Sequence, residues 1–211
     1  MDERFKNDIT FYTALDRFLP PGTAALLPPL LDGHSVLLKV KAARSSKFGD
    51  YRPLRNAKHL HQITINNDLN PYAFMVTLLH EIAHMHAFEQ FNNKVKPHGQ
   101  EWKGIYSDIL SPFISKDYLP ADVYNSLLNH INGPTASSCS DPHLYQALKK
   151  YNPENNGLLL LESLPMGSHF IWRTGQVFEK AERVRKRYKC IDVKTKRVWF
   201  FHPMAEIEVL G

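Results

Sequence analysis

Two kinds of hydrophobic pattern divide this chain of 211 residues into predicted helices and strands. Apolar residues at helical spacing predict helices over 3–18, 70–91, 97–109, 121–130 and 142–151. Alternation of apolar and polar residues predicts strands over 34–41 and 59–66, with a turn or hairpin over 45–53 between them. Toward the C-terminus the pattern predicts short strands over 158–161, 168–174, 176–179, 184–193 and 197–201.

A segment with neither pattern separates the helical part of the chain from the β-rich part. Residues 131–140 (INGPTASSCS) are rich in glycine, proline, serine and threonine, a composition typical of loops and domain boundaries. We therefore expect two domains, an α+β domain over residues 1–133 and a small β-rich domain over residues 134–211.

Positive charge is concentrated near the C-terminus. The whole chain carries a formal net charge of +5. The segment from Lys180 to Arg197 holds nine cations and two acids, Glu182 and Asp192, which gives +7 and leaves −2 for the rest of the chain. Any attraction to a polyanion should therefore belong to this segment.

The basic residues of this segment fall at alternate positions of a predicted strand. Alternation would place four of them on one face, namely Arg183, Arg185, Arg187 and Lys189. Such a row can follow the phosphates of single-stranded or duplex DNA, and Phe170, Trp172 and Trp199 offer surfaces on which bases can stack. The alternative is a solvated edge strand whose cations prevent aggregation.

The N-terminal sequence and the cysteine content indicate the cellular compartment that we expect for the protein. The first 19 residues alternate charged with apolar positions, a pattern typical of neither a signal peptide nor a membrane anchor. Two cysteines, Cys139 and Cys190, cannot form a disulfide framework. We therefore expect a cytoplasmic protein without a membrane partner, and the sequence leaves its oligomeric state open.

The predicted long helix contains the string His80-Glu81-Ile82-Ala83-His84. Residues four apart share a helical face, so the two imidazoles can bind one ion, and zinc accepts imidazole nitrogen readily. Glu81 points about a quarter-turn away and can take a proton from a water molecule in the open position of the metal. Chance alone gives roughly 0.03 such strings in a chain of this composition. We therefore predict a catalytic zinc site rather than a buried helix with two incidental histidines.

A catalytic zinc site needs a third protein ligand, and three residues are candidates. His86 lies on the opposite helical face from His84, and Glu89, five residues after His84, points poorly. His98 follows a turn at Lys96-Pro97 and precedes Gly99, so it can fold back against the long helix. We favour His98.

Several segments together resemble the SprT-like metalloprotease domain over about residues 1–115. They are Ile63-Thr64-Ile65-Asn66, Leu78-Leu79-His80-Glu81-Ile82-Ala83-His84, His98-Gly99-Gln100-Glu101-Trp102, and the hairpin segment from Ala43 to Tyr51. The resemblance implies a minimal zincin-like fold, one zinc ion bound by His80, His84 and His98, and catalysis through Glu81 on a protein or peptide substrate. For Spartan-type members it also implies proteolysis of proteins attached to DNA, a form of DNA repair.

The C-terminal region departs from that family. Many bacterial members carry a zinc ribbon with paired CxxC motifs, whereas this chain has no CxxC. A site built from Cys139, His143, Cys190 and His202 is one interpretation, and two small buried cysteines are the other. Two functions follow for the chain: a zinc endopeptidase, or a nucleic-acid-binding module whose zinc site is structural or inactive.

Overall fold

The computed structural model describes residues 3–5, 9–44, 47–54, 60–92, 94–134, 141–152, 158–172 and 175–210. The chain divides into two compact units, Met1–Pro153 and Glu154–Gly211. The first unit combines helices with a small sheet, and the second is built on a larger sheet, so the expected α+β class followed by a β-rich part is confirmed.

The first unit contains four strands and six helices among its described residues. The strands are β1 (Glu3–Phe5), β2 (Ser35–Lys41), β3 (Gly49–Pro53) and β4 (Leu60–Asn66). The helices are α1 (Ile9–Leu15), α2 (Pro28–Leu31), α3 (Pro71–Phe91), α4 (Gln100–Leu110), α5 (Ala121–Ile131) and α6 (Pro142–Lys149). Short 3₁₀ turns lie at Thr23–Leu26 and Ser111–Phe113.

The small sheet has the strand order β1-β2-β4-β3. Strands β2 and β4 are parallel, while β1 and β3 pair antiparallel with β2 and β4, respectively. Helix α3 packs against β3 and β4 and is buried along most of its length. This central helix carries the predicted zinc-binding string.

The N-terminal segment differs from the predicted helix over 3–18. Residues Glu3–Phe5 form a strand instead, with Glu3 opposite Val40, and helix α1 spans only Ile9–Leu15. Pairing with β2 satisfies backbone groups that a helix would otherwise satisfy internally, so tertiary pairing overrides the local helical pattern.

The division between the units lies after residue 153, about twenty residues beyond the predicted boundary at 133/134. The reason is helix α6, whose Leu144, Ala147 and Leu148 are buried in the core of the first unit. The Asn70 side chain also donates a hydrogen bond to the Leu148 carbonyl oxygen at 2.8 Å. The loop-like composition of residues 131–140 therefore marks a connection within the first unit.

The second unit holds a six-stranded antiparallel sheet in the order β5-β10-β6-β7-β8-β9. The strands are β5 (Leu159–Leu160), β6 (His169–Trp172), β7 (Gln176–Val184), β8 (Arg187–Asp192), β9 (Val198–Phe201) and β10 (Glu206–Val209), with a 3₁₀ turn at Leu161–Ser163. Its core includes Phe170, Phe178, Tyr188 and Phe201. An apolar cluster of this kind can hold a small sheet together.

A buried lysine organises one edge of this core. Lys180 is 2% exposed, and its ammonium group donates hydrogen bonds to the carbonyl oxygens of Leu161, Glu162 and Leu164 at 2.6, 3.2 and 2.5 Å. The same ammonium lies 3.9 Å from the centre of the Tyr188 ring. These contacts satisfy a charge whose burial would otherwise cost several kcal/mol.

The C-terminal cysteine behaves as a small apolar residue. Cys190 is a free, buried thiol, and burial raises its pKa to about 11. Cys139 lies outside the described residues, so the alternative of a four-residue site with His143 and His202 is not tested. Among the helices within the described ranges, none has the length and apolar character needed to cross a membrane.

Candidate metal centre

Capping residues fix both ends of helix α3. At its start, the Asn70 side-chain oxygen accepts hydrogen bonds from the backbone N–H groups of Tyr72 and Ala73 at 3.1 and 3.0 Å, as predicted for an N-cap. At its end, Asn92 adopts a left-handed conformation with φ 48° and closes the last turn. The helix thereby fixes the orientation of His80, Glu81 and His84.

The imidazole rings of the three predicted zinc ligands meet at one point beside this helix. The Nε2 atoms of His80 and His84 lie 3.1 Å apart. The Nε2 atom of His98 lies 3.0 Å from that of His84 and 3.2 Å from that of His80. The structure therefore brings together the three residues that are predicted to bind zinc.

His98 reaches this point from a turn rather than from a helix. Helix α4 begins at Gln100, three residues later than predicted, with Gly99 as its N-cap. The Gly99 N–H donates to the Lys96 carbonyl oxygen at 2.8 Å, and His98 has a left-handed φ of 58°. This uncommon conformation for a non-glycine residue directs the imidazole back toward α3.

The donor set fits a zinc ion. A tetrahedral ion about 2.0–2.1 Å from each of three imidazole nitrogens separates those nitrogens by roughly 3.3 Å, close to the observed spacing. Burial, together with the smaller effect of the neighbouring imidazoles, lowers the pKa of His80 to about 3 and that of His84 to about 4. Unprotonated imidazoles offer lone pairs, and three lone pairs converging on one point repel each other unless a cation lies between them.

Aromatic rings form one wall of the centre. The Trp102 ring lies 4.6 to 5.1 Å from the rings of the three histidines and stacks on Tyr106 at 4.9 Å. Both Trp102 and Tyr106 are buried. They restrict the imidazole rotamers and keep this side of the centre dry.

The two rejected ligand candidates lie elsewhere. The His86 Nε2 atom lies 2.8 Å from the Leu30 carbonyl oxygen. The Glu89 Oε1 atom lies 2.9 Å from the Nε2 atom of His61. Neither belongs to the group of ligand atoms formed by His80, His84 and His98.

Glu81 lies in a tight space between α3 and strand β3. It is 6% exposed, and the backbone of Tyr51 hydrogen-bonds to its carboxyl group. Burial, and to a lesser extent the nearby charge of Asp50, together raise the pKa of Glu81 to about 8. A carboxyl group with a raised pKa is a stronger base when ionised, which suits proton transfer.

Gly49 makes this position of Glu81 possible. A Cβ atom at residue 49 would lie 2.6 Å from Glu81 Oε1 and 2.7 Å from Thr77 Cγ2. Since side-chain carbons do not approach that closely, only glycine leaves space for the carboxyl group. The sequence places Gly49 in the hairpin segment from Ala43 to Tyr51 but does not indicate this role.

We predict that Gly49→Ala reduces the turnover of a peptide substrate by roughly ten- to a hundredfold while the zinc content stays unchanged, because a small displacement of a catalytic group is costly. Steady-state kinetics and metal analysis measure the two effects. Gly104→Ala is the matched control, since a Cβ atom there meets open space. Wild-type turnover in Gly49→Ala would contradict this account of Glu81.

A cavity of about 100 Å³ adjoins the centre. His84 and Trp102 line it on the metal side, and its other walls come from Tyr51, Ala87, Phe88, Val95, Lys96 and Pro97. Its walls mix polar and apolar surface, and its size suits a small side chain.

The predicted row of four cations does not exist as one face. Strand β7 ends at Val184, Arg185 and Lys186 form a turn, and β8 starts at Arg187, so the segment is a hairpin. Arg183 pairs across the sheet with Tyr188, whose side chain faces the core, whereas Arg187 and Lys189 alternate with it and face outward. The prediction that these four residues alternate along a single strand was wrong. A two-residue turn made of cations leaves no trace in the hydrophobic pattern, so the pattern does not reveal it.

Comparison with known proteins agrees with this geometry. Residues 31–125 match the SprT-like family, just under half of the chain. This match supports the resemblance to the SprT-like family. This family is zinc metalloprotease-like, and the matched range contains His80, Glu81, His84 and His98. No curated protein and no solved structure matches the chain.

Proposed function

We propose that the first unit is a zinc-dependent endopeptidase of SprT-like type with a minimal zincin-like fold. The observation that carries this proposal is the convergence of three Nε2 atoms within 3.0 to 3.2 Å of one another, beside a buried carboxyl group on the same helix. The family match over residues 31–125 supports the same activity.

In this proposal His80, His84 and His98 hold one zinc ion. When bound, the ion supplies Lewis-acid polarisation of a substrate carbonyl and of a water molecule, and its charge favours the ionised form of Glu81. Glu81 takes the proton of the attacking water on its carboxylate and returns a proton to the leaving amine. The Tyr51 backbone and Gly49 hold this carboxylate in place throughout.

The chain's own residues also orient the substrate. Strand β3 lies at the edge of the sheet formed by the described residues, so the outer backbone groups that Glu81 does not occupy are available to an extended peptide. The small cavity beside His84 accepts a small side chain of that peptide. Together they favour an unfolded or extended protein segment as the substrate.

Metal removal tests this proposal. We predict that a chelator abolishes cleavage of β-casein, an unfolded protein, and that adding one equivalent of zinc restores it. Gel analysis of the fragments and metal analysis of the same samples provide the measurements. Cleavage that persists in metal-free protein would refute the proposal.

A second function, nucleic-acid binding by the second unit, is favoured by one observation. Phe200 is 52% exposed and lies opposite Lys189 on the outward face of the sheet, where Arg187 also lies. An exposed aromatic ring beside cations suits an unpaired base and its phosphates. In combination with the peptidase, it would direct cleavage to proteins attached to DNA.

This second function predicts a salt-dependent affinity for single-stranded DNA. Fluorescence anisotropy with a labelled oligonucleotide should show weaker binding as salt increases, and Phe200→Ala should weaken it by roughly tenfold or more. Met166→Ala is the matched control, since Met166 is 56% exposed in the same unit. Absence of binding below millimolar concentration would exclude this function.

A further inference from the structure

We propose a second metal site, independent of the peptidase centre, formed by His34, His61 and Glu89. Each of these residues offers one ligand atom, and the three atoms lie within 4.8 Å of one another. The ligands come from three separate parts of the first unit: the residue before β2, strand β4 and the C-terminal part of α3. Metal sites in folded proteins are typically formed in this way, by ligands from segments that are distant in the sequence.

His61 is the fixed ligand of this site. It is 2% exposed, its Nδ1 atom lies 3.0 Å from the Tyr51 hydroxyl, and its Nε2 atom lies 2.9 Å from Glu89 Oε1. A hydrogen bond on one ring nitrogen that aims the other nitrogen at a metal is the usual arrangement around ligating histidines. The Tyr51 hydroxyl therefore serves as the orienting partner of His61.

His34 is placed by the chain that precedes it. Gly33 has a left-handed φ of 78° after helix α2, and the His34 N–H donates to the Leu31 carbonyl oxygen at 3.1 Å. The His34 ring lies 5.9 Å from the His61 ring. A half-buried side chain at the end of a turn can close this distance by a small rotation.

Glu89 connects the site to solvent. Its side chain is 37% exposed and lines an open groove of about 440 Å³ together with His86 and Asp108. The carboxylates of Glu89 and Asp108 give this groove a negative potential, which attracts cations. An ion can therefore enter from the surface without unfolding the unit.

The chemistry of the ligands selects the ion. Two imidazoles and one carboxylate suit divalent transition metals such as zinc, whereas calcium and magnesium prefer ligand sets made of oxygen alone. One carboxylate balances part of the charge, and water can complete the coordination from the groove. We assign zinc to this site.

Counting bound zinc tests the assignment. Wild-type protein dialysed against saturating zinc should bind two ions per chain, and His34→Ala and Glu89→Gln should each bind one. His169→Ala, a change at an exposed histidine of β6, is the matched control and should retain two. Circular dichroism and thermal unfolding of the metal-free variants check that each one folds like the wild type.

A variant that lacks the first centre allows zinc bound at the second site to be counted separately. His98→Ala should keep one zinc ion per chain, and the double variant His98→Ala/His34→Ala should keep none. One ion in the wild type, or an unchanged count in the His98→Ala background after the His34 change, would overturn the second site. If the wild-type protein proved to have no peptidase activity, the expected number of zinc ions at the second site would not change. The two proposals can therefore fail independently.

Discussion

Replacing Glu81 by glutamine is expected to lower kcat/KM for peptide cleavage by roughly a thousandfold. General acid–base catalysis by a positioned side chain contributes about 10² to 10⁴ in rate, and glutamine keeps the shape of the side chain but cannot accept the proton. Glutamine can still accept the hydrogen bond from the Tyr51 backbone. The zinc content should stay the same, because Glu81 does not belong to the group of convergent imidazoles.

A matched acid on the neighbouring helix provides the control. Glu101 lies in the first turn of α4 and is exposed, so Glu101→Gln should retain wild-type kinetics. Steady-state assays on a fluorogenic peptide and metal analysis distinguish a chemical effect from loss of metal. If Glu81→Gln cleaved at the wild-type rate, the proposed base would be wrong even with zinc in place.

The sequence was most informative where one element carries the chemistry. Helix α3 has a capping residue at Asn70, a proline in its first turn and apolar residues on several faces, so its position and the shared face of His80 and His84 follow from local rules. His98 lies on a separate segment, yet the turn residues around it indicated that the chain folds back. The convergence of the three imidazoles could therefore be predicted without coordinates.

The remaining features depend on contacts between segments far apart in the chain. Strand β1 forms because β2 offers it a partner, and α6 joins the first unit because its apolar face fits that core. The close approach of Gly49 to Glu81 is likewise set by the packing of β3 on α3. Local periodicity carries no information about such pairings, so a single sequence leaves them open.

The same reasoning explains why a second histidine cluster was missed. His61 was assigned to a strand and Glu89 was considered only as a ligand of the first centre. Their 2.9 Å contact results from the packing of β4 against α3, which no spacing along the chain expresses. Metal ligands within one helix can be recognised from their spacing along the sequence much more readily than ligands that lie on three separate elements.

Substitution of His98 by alanine is expected to remove one zinc ion per chain and to reduce peptide cleavage to below about 1% of wild type, because a catalytic zinc needs three protein ligands. His98 also has φ 58°, a conformation that costs alanine roughly 1 kcal/mol, so the turn could be affected as well. His98→Gly separates the two causes, since glycine adopts this φ freely but offers no ligand. Equal loss of zinc in both variants, measured by metal analysis, would assign the effect to the imidazole, whereas retention of zinc in His98→Gly would show that His98 is not a ligand.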